Sequence, residues 1–558
     1  PRGNKILSLA RLPVPPYPRH CPNKYIIYLA TSIVFLLKNA DYINNRKSII
    51  KDSQLSGLEE TARSHYQNGE YAQALSAWLE LSQNFPRRDD YLVSSGNCFD
   101  ALGDKKAAAG YYLKAHKVNK KSLPALTNLA IACYETDDLK AAEKYSRQAL
   151  KLDAESLPAL INLGNVLYRK KDYAAALQYY RQAAELRPGY YVAEINLANT
   201  YFELRDYAAA AKHAESAAAL DSGSVQAWTL LGNAALENGV FDAALDAFAK
   251  AAEIDSSDPW IYNYLSQAYQ KKSLWKEALE NGWQAVEKSG GDEAHHINFG
   301  YLLYEASLEK ADSLCGAYAR KWLEKYPENP VVRHMGKALS DGRSAPVAPP
   351  GYVRDIFDVF APDFEQVLHS LEYRAPDLIL GFLRDIYGEK KHPKMRILDA
   401  GCGTGLCGVF LKKYASFRGL EGVDLSAGML REAAAKKVYN KLICREITDW
   451  LNNVKARYGL VVSADVFTYI GDLENLFSAL FGALKKNGRV IFTVSENSLN
   501  DSDWFLHISG RFLHRREYIE KLLLQTGFEL EKISREKLRN EGDSEVWGYV
   551  VAARKQGV

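Results

Sequence analysis

Small residues recur at a fixed interval through the first part of the chain. Alanine, glycine or serine returns every 34 residues, at Ala62, Gly96, Ala130, Gly164, Ala198, Gly232, Ser266 and Gly300. A second series follows each of the first seven positions by twelve residues, at Ala74, Ala108, Ala142, Ala176, Ala210, Ala244 and Ala278. Aromatic residues fill a third phase, at Tyr71, Tyr173, Tyr207, Phe241 and Trp275. Prolines or polar residues close several units, as at Pro86 and Pro188. A 34-residue period with small residues where helices touch predicts a repeated helix pair.

A different pattern begins near residue 397. Two apolar residues run into an acid, glycines then alternate, and an apolar run resumes at Leu406. This order predicts a buried parallel strand, a tight turn and the first turn of a helix. Later apolar runs predict a third strand at 441–447, a fourth from Tyr458, a fifth near 488–497 and a closing antiparallel pair near the C-terminus. The second part of the chain is therefore expected to be an α/β domain.

The glycine turn and the acid that follows it indicate a nucleoside cofactor. Asp424 ends the second predicted strand, where a carboxylate can accept hydrogen bonds from both hydroxyls of a ribose. The chemical identity of that cofactor stays open on these residues alone. Gly403, Gly405 and Gly408 have the G-x-G-x-x-G spacing of dinucleotide-binding proteins, with an acid about 20 residues further on. The same turn, counted from Asp399, has the D-x-G-x-G-x-G spacing of S-adenosylmethionine (SAM) enzymes.

The two halves resemble known families. The helix pairs resemble the tetratricopeptide repeat (TPR), with about eight repeats and a capping helix over residues 58–339. A Pro-rich stretch, 340–353, is expected to be a linker, and 354–558 the α/β domain. The start of that domain is similar to the opening motif of bacterial TPR-containing SAM-dependent methyltransferases. The matching residues are Phe357, Asp358, Phe360, Ala361, Phe364, Glu365, Leu368, Leu371, Tyr373 and Pro376.

That resemblance implies a fold and a set of cofactor residues. The expected architecture is an all-α TPR superhelix followed by a class I methyltransferase domain, a Rossmann-like α/β/α sandwich that binds S-adenosyl-L-methionine. The residues implied for SAM are Asp399, Gly401, Gly403, Thr404, Gly405, Asp424, Leu425, Glu446, Asp465 and Tyr373. A fragment beginning near Gly351 is expected to bind the cofactor by itself.

Candidate residues for the chemistry lie in the last third of the chain. Methyl transfer needs positioning and, for a poor nucleophile, a base. His514 is the first candidate for this base, with Asp465 and Asp472 as second candidates, and a merely packed histidine is the alternative. Arg511 and Tyr518 are candidates for contacting the substrate. The fourth strand ends in ADVFTY rather than an N-P-P-Y-like motif, which argues against adenine- or glutamine-directed methylation.

One series of polar residues in the repeats suggests a partner site. Asn128, Asn162 and Asn196 share one repeat position on the first helix of their units. They are similar to the asparagine ladder with which O-linked N-acetylglucosamine transferase holds an extended peptide. An amide both donates to and accepts from a peptide unit, so such a row can hold a polypeptide backbone. The alternative is that these amides bond neighbouring turns of the array.

Composition narrows the class of protein. The net charge of +3 gives no sign of a nucleic-acid partner. The seven cysteines have no C-x-x-C spacing and are typical of reduced thiols in a cytoplasmic protein. Residues 1–57 carry a short apolar run at 25–37, which is too short for a comfortable membrane span. We expect these residues to be an extension of the gene model; a membrane anchor is the alternative.

The sequence thus predicts a SAM-dependent methyltransferase whose repeats recruit a polypeptide, either as substrate or as scaffold. Two other hypotheses remain. In the first, the repeats do the work and the α/β domain only senses SAM. In the second, the protein is an NAD(P)-dependent oxidoreductase. The methyl acceptor and the oligomeric state do not follow from these residues.

Overall fold

The computed structural model describes residues 52–309, 312–340, 346–388, 394–541 and 544–556. The predicted extension covers residues 1–57. Its first 51 residues, which include the apolar run at 25–37, lie outside the described residues. The first helix begins at Asp52, earlier than the predicted start of the repeats. The described chain forms two compact units, which divide after Ser256. None of the described helices is long and apolar enough to cross a membrane.

The first unit consists of antiparallel helix pairs, and its helices follow the predicted 34-residue period. They are α1 (Asp52–Gln67), α2 (Tyr71–Asn84), α3 (Asp89–Ala101), α4 (Lys105–Val118), α5 (Leu123–Glu135), α6 (Leu139–Leu152), α7 (Leu157–Arg169), α8 (Tyr173–Leu186), α9 (Tyr191–Glu203), α10 (Tyr207–Leu220), α11 (Val225–Glu237) and α12 (Phe241–Ile254). Several second helices begin after an aspartate whose side chain accepts a backbone N–H of the first turn, as Asp104 does from Ala107.

The small residues of the period are explained by the packing within each pair. A Cβ atom added at Gly96 would lie 2.4 Å from the ring of Tyr112, and one added at Gly164 would lie 2.4 Å from Tyr180. The first helix of a pair therefore keeps a small residue where an aromatic ring of the second helix packs on it. The predicted all-α repeat architecture is confirmed.

The second unit begins with further helices, and the 34-residue period continues as far as the helix that begins at Glu293. They are α13 (Pro259–Lys271), α14 (Trp275–Lys288), α15 (Glu293–Leu308), α16 (Asp312–Lys325) and α17 (Pro330–Ser340). The last of these lies where the sequence predicts a capping helix, and its role as a cap stays a prediction. Here too the period has a packing reason, since a Cβ atom at Gly300 would lie 3.2 Å from the ring of Trp322.

A nine-stranded sheet forms the centre of the α/β domain. Its strands are β1 (Met395–Ala400), β2 (Ala415–Asp424), β3 (Lys441–Cys444), β4 (Tyr458–Ser463), β5 (Leu484–Glu496), β6 (Trp504–Leu506), β7 (Phe512–His514), β8 (Phe528–Glu541) and β9 (Ser544–Lys555). Parallel pairing gives the order β3-β2-β1-β4-β5. Antiparallel β9 then pairs with β5, and β8 with β9. The predicted α/β domain is confirmed, including its closing antiparallel pair.

Helices cover the sheet and the edge at which the parallel strands end. They are α18 (Pro350–Phe360), α19 (Phe364–Ser370), α20 (Ala375–Tyr387), α21 (Leu406–Leu411), α22 (Ala427–Ala435), α23 (Ile447–Asn452), α24 (Glu474–Ala483) and α25 (Arg516–Thr526). The short β7 extends the sheet beside the end of β5, through the pairs Ser495–Leu513 and Glu496–His514. It pairs on its other side with β6, so that β6 and β7 form a hairpin.

One hydrophobic cluster is shared by the last repeats and the α/β domain. Trp322 and Met335 of the repeat helices pack in it with Tyr352, Phe360 and Phe512 of the α/β domain, and all five are buried. A polar contact also joins the last repeats to the α/β domain. The Nε2 atom of the buried His334 lies 2.8 Å from the carbonyl oxygen of Gly510. The last repeats are therefore packed as part of the core that supports the β6–β7 hairpin.

The end of the predicted linker is also bonded to the domain. The carbonyl oxygen of Pro346 accepts the N–H groups of Gly471 and Asp472, at 2.7 and 2.9 Å, and the N–H of Ala348 donates to Tyr469 at 3.0 Å. This segment lies against the loop after β4, so it is part of the domain rather than a free tether. The remainder of the linker, residues 341–345, is outside the described chain.

Candidate functional site: a cleft at the ends of the parallel strands

A cleft that is partly open to solvent lies at the carboxyl ends of β1, β2 and β4. Open parallel sheets bind their ligands at this edge. One wall comes from the sheet loops and the opposite wall from α18, α19 and the segment before them. Apolar residues of that second wall include Val347, Val353, Phe357, Phe364 and Leu368.

The glycine loop after β1 has the backbone conformation that the sequence predicts. Gly401, Gly403 and Gly405 all have positive φ angles, of 73°, 52° and 91°. A Cβ atom at Gly401 would lie 2.4 Å from the side chain of Val466, so even a methyl group would not fit there without a shift of the loop after β4. The loop therefore presents its backbone directly to the cleft.

Asp424 holds this loop in place from the end of β2. Its Oδ2 accepts the N–H of Gly403 at 2.8 Å, and its Oδ1 accepts the N–H of Ser426 at 2.9 Å. Burial raises the pKa of Asp424, while these backbone donors act in the opposite direction. The carboxylate lines the cleft beside Leu425, where it remains able to accept hydrogen bonds from a ligand.

Two acids of the opening motif anchor the second wall to the loops of the sheet. Asp358 Oδ1 accepts the hydroxyl of Ser426 at 2.5 Å and the N–H of Gly428 at 2.8 Å. Glu365 Oε1 accepts the hydroxyl of Thr404 at 2.6 Å and pairs with Lys436. These contacts fix α18 and α19 over the glycine loop. They also place Thr404 on the cleft wall, with its hydroxyl directed to Glu365.

Asp399 lies below the loop and is almost completely buried, with 1% of its surface exposed. Its Oδ2 accepts the hydroxyl of Tyr439 at 2.6 Å. Burial raises the pKa of Asp399 to about 7, against the opposing effect of the Tyr439 hydrogen bond. A cationic group bound nearby would stabilise its ionised form.

The remaining predicted cofactor residues also line the cleft. Glu446 caps the N-terminus of α23, where its carboxylate accepts the N–H of Asp449 at 2.7 Å. Tyr373 stands at the other wall, and burial raises the pKa of its hydroxyl well above the usual value. The structure thus brings all ten residues implied for SAM to one place, with Gly405 at the N-terminus of α21.

A second charged group lies at the β4–β5 half of the cleft. Asp465, which has a φ angle of 57°, accepts Nη1 of Arg539 at 2.5 Å. Arg511 donates Nη1 to both carboxylate oxygens of Glu541, each at 3.0 Å. Arg539 approaches the same carboxylate at 3.8 Å. Burial raises the pKa of Glu541, but the charges of Arg511 and Arg539 outweigh it, so the carboxyl remains ionised with a lowered pKa.

His514 does not lie on the cleft, and the structure argues against it as the general base. Its side chain has no exposed surface, and its Nε2 lies 2.9 Å from the carbonyl of Ile470 and 3.1 Å from that of Gly471. Burial lowers the pKa of His514 to about 4. The histidine therefore supports the loop after β4 as a neutral N–H donor. The predicted alternative, a packed histidine, fits this geometry.

Tyr518 and Asp472 are likewise structural in their contacts. The hydroxyl of Tyr518 accepts the N–H of Leu473 at 2.9 Å and donates to Asp472 at 3.3 Å. Asp472 also accepts the N–H of Glu474 at the start of α24. Neither residue lines the cleft, so the structure supports neither substrate contact by Tyr518 nor catalysis by Asp472. Asp465 and Arg511 are the only members of the predicted chemical set that do line it.

The asparagine series in the first unit makes bonds between repeats. Asn128 donates Nδ2 to Asn97 at 2.8 Å, and Asn162 donates to the backbone carbonyl of Thr127 at 3.1 Å. Asn196 donates to Asn165 at 3.4 Å. All three side chains remain partly exposed. The amides therefore link successive repeats, and binding of a polypeptide by them stays a prediction.

Sequence reasoning missed several residues of the site. Arg539 and Glu541 come from a strand more than 70 residues beyond Asp465, and nothing in their local pattern marks them. Tyr439 follows α22 in a short turn, with no motif around it. Asp358 and Glu365 carried a signal, since both are acids inside an otherwise aromatic and apolar motif, which is where anchoring carboxylates would be sought.

Comparisons with known proteins divide the chain in the same way. Residues 367–533 match a family described as a methyltransferase domain. Residues 60–121, 123–156, 158–190 and 195–259 match tetratricopeptide repeat families.

Similar curated proteins match only parts of the chain. Methyltransferase-like protein 27 of Homo sapiens is 41% identical over 86 residues, which are 15% of this chain and 34% of that protein. Malonyl-[acyl-carrier protein] O-methyltransferase of Priestia megaterium is 33% identical over 107 residues, 19% of this chain and 38% of that protein. The chain thus spans little more than a third of the length of these relatives.

Solved structures include chains that are similar to part of this one. YrrB, described as a TPR protein with an unusual peptide-binding site, has 23% identity and a TM-score of 0.31, covering 34% of this chain and 96% of its own. PilF of Pseudomonas aeruginosa has 19% identity and a TM-score of 0.35, covering 39% and 97%. From its family matches and its sheet order, the chain is a tetratricopeptide-repeat array followed by a class I methyltransferase domain.

Proposed function

We propose that the protein is a methyltransferase that uses S-adenosyl-L-methionine and that its repeats recruit a polypeptide. The observation that carries the proposal is the cleft itself. A glycine loop in an unusual backbone conformation and the carboxylate of Asp424 meet on one wall, as a nucleoside ligand requires.

The residues of the cleft fit this cofactor. Asp424 would accept the ribose hydroxyls, while Leu425 and Ile447 supply apolar surface beside it. Glu446 stands next to them as a further acceptor. The carboxylates around the cleft suit a cation, and SAM carries a positive sulfonium whose methyl group is the electrophile. The protein then has two tasks. It excludes water with α18 and α19, and it holds a nucleophile in line with the bond between the methyl group and sulfur.

The relatives favour methyl transfer over the two alternatives. Their printed names describe methyltransferases, one of which acts on malonyl-[acyl-carrier protein] at oxygen. A dinucleotide oxidoreductase finds no corresponding support among the family matches. A domain that only senses SAM would need no second charged group, whereas Arg511, Arg539 and Asp465 extend the cleft beyond its nucleoside half.

We expect the full chain to bind SAM and its demethylated product, S-adenosylhomocysteine (SAH), and to bind NAD at least tenfold more weakly. The reason is that the cleft offers acids for a ribose and a cation but, at its nucleoside half, no basic side chain for a pyrophosphate among the described lining residues. Titration calorimetry with the three ligands measures this. Tighter binding of NAD than of SAH would contradict the cofactor assignment.

Polypeptide recruitment rests on the repeat architecture. TPR arrays present a concave surface of first helices to extended partners. Such helices carry one of these asparagines per repeat, at Asn128, Asn162 and Asn196. Each donates a side-chain N–H to a neighbouring repeat. The side-chain oxygens of Asn128 and Asn196 have no donor among the described residues, so they can still accept N–H groups from a bound backbone.

Replacing these three asparagines by alanine should have two effects. The array should lose about 1–4 kcal/mol of unfolding free energy, because each of the three substitutions removes one hydrogen bond between repeats. Capture of polypeptides by the immobilised protein should fall, while SAH affinity stays unchanged. Asn199→Ala is the matched control, since among the described residues the Asn199 side chain bonds only within its own helix, to Ile195 at 2.8 Å. Equal capture by the triple variant and the control would make the series purely structural.

A further inference from the structure

A second pocket, with a polar lining, lies in the last repeats. Its described lining comes mainly from α13 and α15, which are the first helices of two successive repeats, and a ring of α18 completes it. All three helices belong to the second compact unit. The lining residues that matter here are Gln267, Gln270, Asn298, Tyr301, Glu305 and Phe360. Amide side chains, a carboxylate and aromatic rings therefore meet in one cavity.

Glu305 is the charged group of this pocket, and it lacks a close counter-ion. Its Oε2 accepts a hydrogen bond from Nε2 of Gln270. No lysine or arginine in the described part of the chain forms an ion pair with it, and Lys271 acts on it only from a greater distance. Burial raises the pKa of Glu305 to about 7, against the smaller opposite effect of Lys271. A carboxylate withdrawn from water without a counter-ion is destabilising, and a bound cation would offset this cost.

The pocket also offers hydrogen-bond acceptors that the repeats do not use. Among the described residues, the side chains of Gln267 and Asn298 have no hydrogen-bond partner, and both line the cavity. Each can present an amide oxygen to a donor. Gln270 occupies Oε2 of Glu305, which leaves Oε1 as a third acceptor. A cation with several N–H groups could therefore be bonded at more than one of them.

The aromatic rings of the pocket favour one kind of cation. Tyr301 and Phe360 both line it, with ring centroids 6.0 Å apart and planes at 79°. A guanidinium is planar, carries five N–H donors, stacks on aromatic faces and is more weakly hydrated than an ammonium. A carboxylate, amide oxygens and aromatic rings together therefore suit an arginine side chain better than a lysine side chain.

The position of the pocket connects it with both parts of the protein. Asn298 has the repeat position of Asn196, three periods of 34 residues further along the chain. The pocket thus lies on the same face of its repeats as the asparagine series does on the earlier ones. Phe360 lines the pocket, and Phe357, three residues before it on α18, lines the cleft. One helix therefore contributes a wall to each cavity.

We infer that this pocket binds an arginine side chain of the polypeptide that the repeats recruit, with Glu305 as its counter-ion. The inference rests on the proposed recruitment and adds to it a site and a residue type. The arginine is an anchor, and no bond is made or broken at it. An arginine held here keeps its polypeptide beside α18, the helix that forms part of one wall of the cleft.

The test titrates the full chain at pH 8 with the peptide acetyl-Gly-Gly-Arg-Gly-Gly-amide, followed by calorimetry. A second peptide has citrulline, the uncharged isostere, in place of arginine. The arginine peptide should bind at least about tenfold more tightly, because only a cation forms a charge-assisted pair with Glu305. A lysine peptide should fall between the two.

Glu305→Gln should lose about 10–100-fold in affinity for the arginine peptide and keep its affinity for the citrulline peptide within about threefold. The variant keeps the size of the side chain and removes a half-buried charge, so its thermal midpoint should not fall. Glu309→Gln is the matched control, because Glu309 is an exposed acid at the end of the same helix. It should bind both peptides as the unmodified protein does.

Lowering the pH from 8 to 6 should weaken binding of the arginine peptide about tenfold. A bound cation requires the ionised carboxylate, so affinity is full above the pKa of Glu305, about 7, and is lost as the pH falls through it. The other groups near Glu305 do not titrate in this range. Burial raises the pKa of Tyr301 and of Tyr304 above their usual values, and Lys271 carries a charge throughout. Glu305→Gln should lack this pH dependence.

Three results would overturn the inference. They are equal or undetectable binding of the arginine and citrulline peptides, undiminished binding of the arginine peptide by Glu305→Gln, and binding of ethylguanidinium as tight as that of the peptide. Ethylguanidinium has the same cation without a polypeptide backbone, so the last result would assign the pocket to a small cation. Recruitment has its own test in the capture of polypeptides by the immobilised protein. It survives any of these three results, whereas absence of capture would remove recruitment and the inference together.

Discussion

A fragment that begins at Gly351 should fail to unfold cooperatively and should bind SAH at least tenfold more weakly than the full chain. Cutting there removes Trp322 and Met335 from the shared cluster and exposes Tyr352, Phe360 and Phe512. Burying a large apolar side chain contributes about 1.5–3 kcal/mol, so exposing several of them approaches the whole stability of a domain, about 5–15 kcal/mol. A fragment that begins at Ser257 keeps the compact unit and should retain both properties.

Urea denaturation followed by circular dichroism, with calorimetry for SAH, compares the two fragments. A matched pair of variants tests the same packing in the full chain. A Cβ atom at Gly510 would lie 2.3 Å from the hydroxyl of Tyr352 and 2.5 Å from the sulfur of Met335, so Gly510→Ala should destabilise by about 2 kcal/mol or more. Gly482→Ala, with open space around it, should not destabilise. Normal SAH binding by the 351–558 fragment would refute this account and restore the expectation from sequence.

Asp424→Ala should lower the affinity for SAM and SAH about 30–150-fold, which corresponds to about 2–3 kcal/mol. In the proposed complex the variant loses the acceptor for the ribose. It also releases the N–H groups of Gly403 and Ser426, which the carboxylate accepts at 2.8 and 2.9 Å. Asp424→Asn keeps one acceptor oxygen and should show a smaller loss.

Calorimetry with SAH and the thermal midpoint of unfolding measure the two parts of this effect. Asp206→Ala is the matched control, because Asp206 also accepts a backbone N–H, that of Ala209 at 3.1 Å, but belongs to the first unit. The control should leave SAH affinity unchanged. Unaltered SAH affinity in Asp424→Ala would show that the carboxylate only supports the loop and would refute its part in cofactor binding.

Local chemistry explains which parts of the structure the sequence predicts. The 34-residue period reports the packing of an aromatic ring on a small residue, as between Gly96 and Tyr112, and such contacts span only 16 residues. The glycine loop is equally local, since a turn with three positive φ angles requires those residues in that order. Asp424 was identifiable because the end of a predicted parallel strand fixes the edge at which its side chain lies.

The roles of the polar residues in the last third depended on contacts between distant segments. His514 and Arg511 are three positions apart in one motif, yet the first points between the carbonyls of Ile470 and Gly471 and the second lines the cleft. Nothing in the one-dimensional pattern distinguishes a buried N–H donor from a base, because burial and partners decide the protonation of histidine.

The sequence by itself determined the two architectures and the glycine-loop half of the cleft, because repeat packing and the strand–turn–helix are specified by residues near each other. Only the tertiary structure decided the charged group at the β4–β5 half of the cleft. The pairing of Arg539 with Asp465 bridges 74 residues, and Glu541 meets Arg511 across 30. It also decided that the last repeats belong to the core of the domain, since His334 reaches Gly510 across 176 residues. Contacts of that range arise from how the sheet and the repeats pack, which no local pattern encodes.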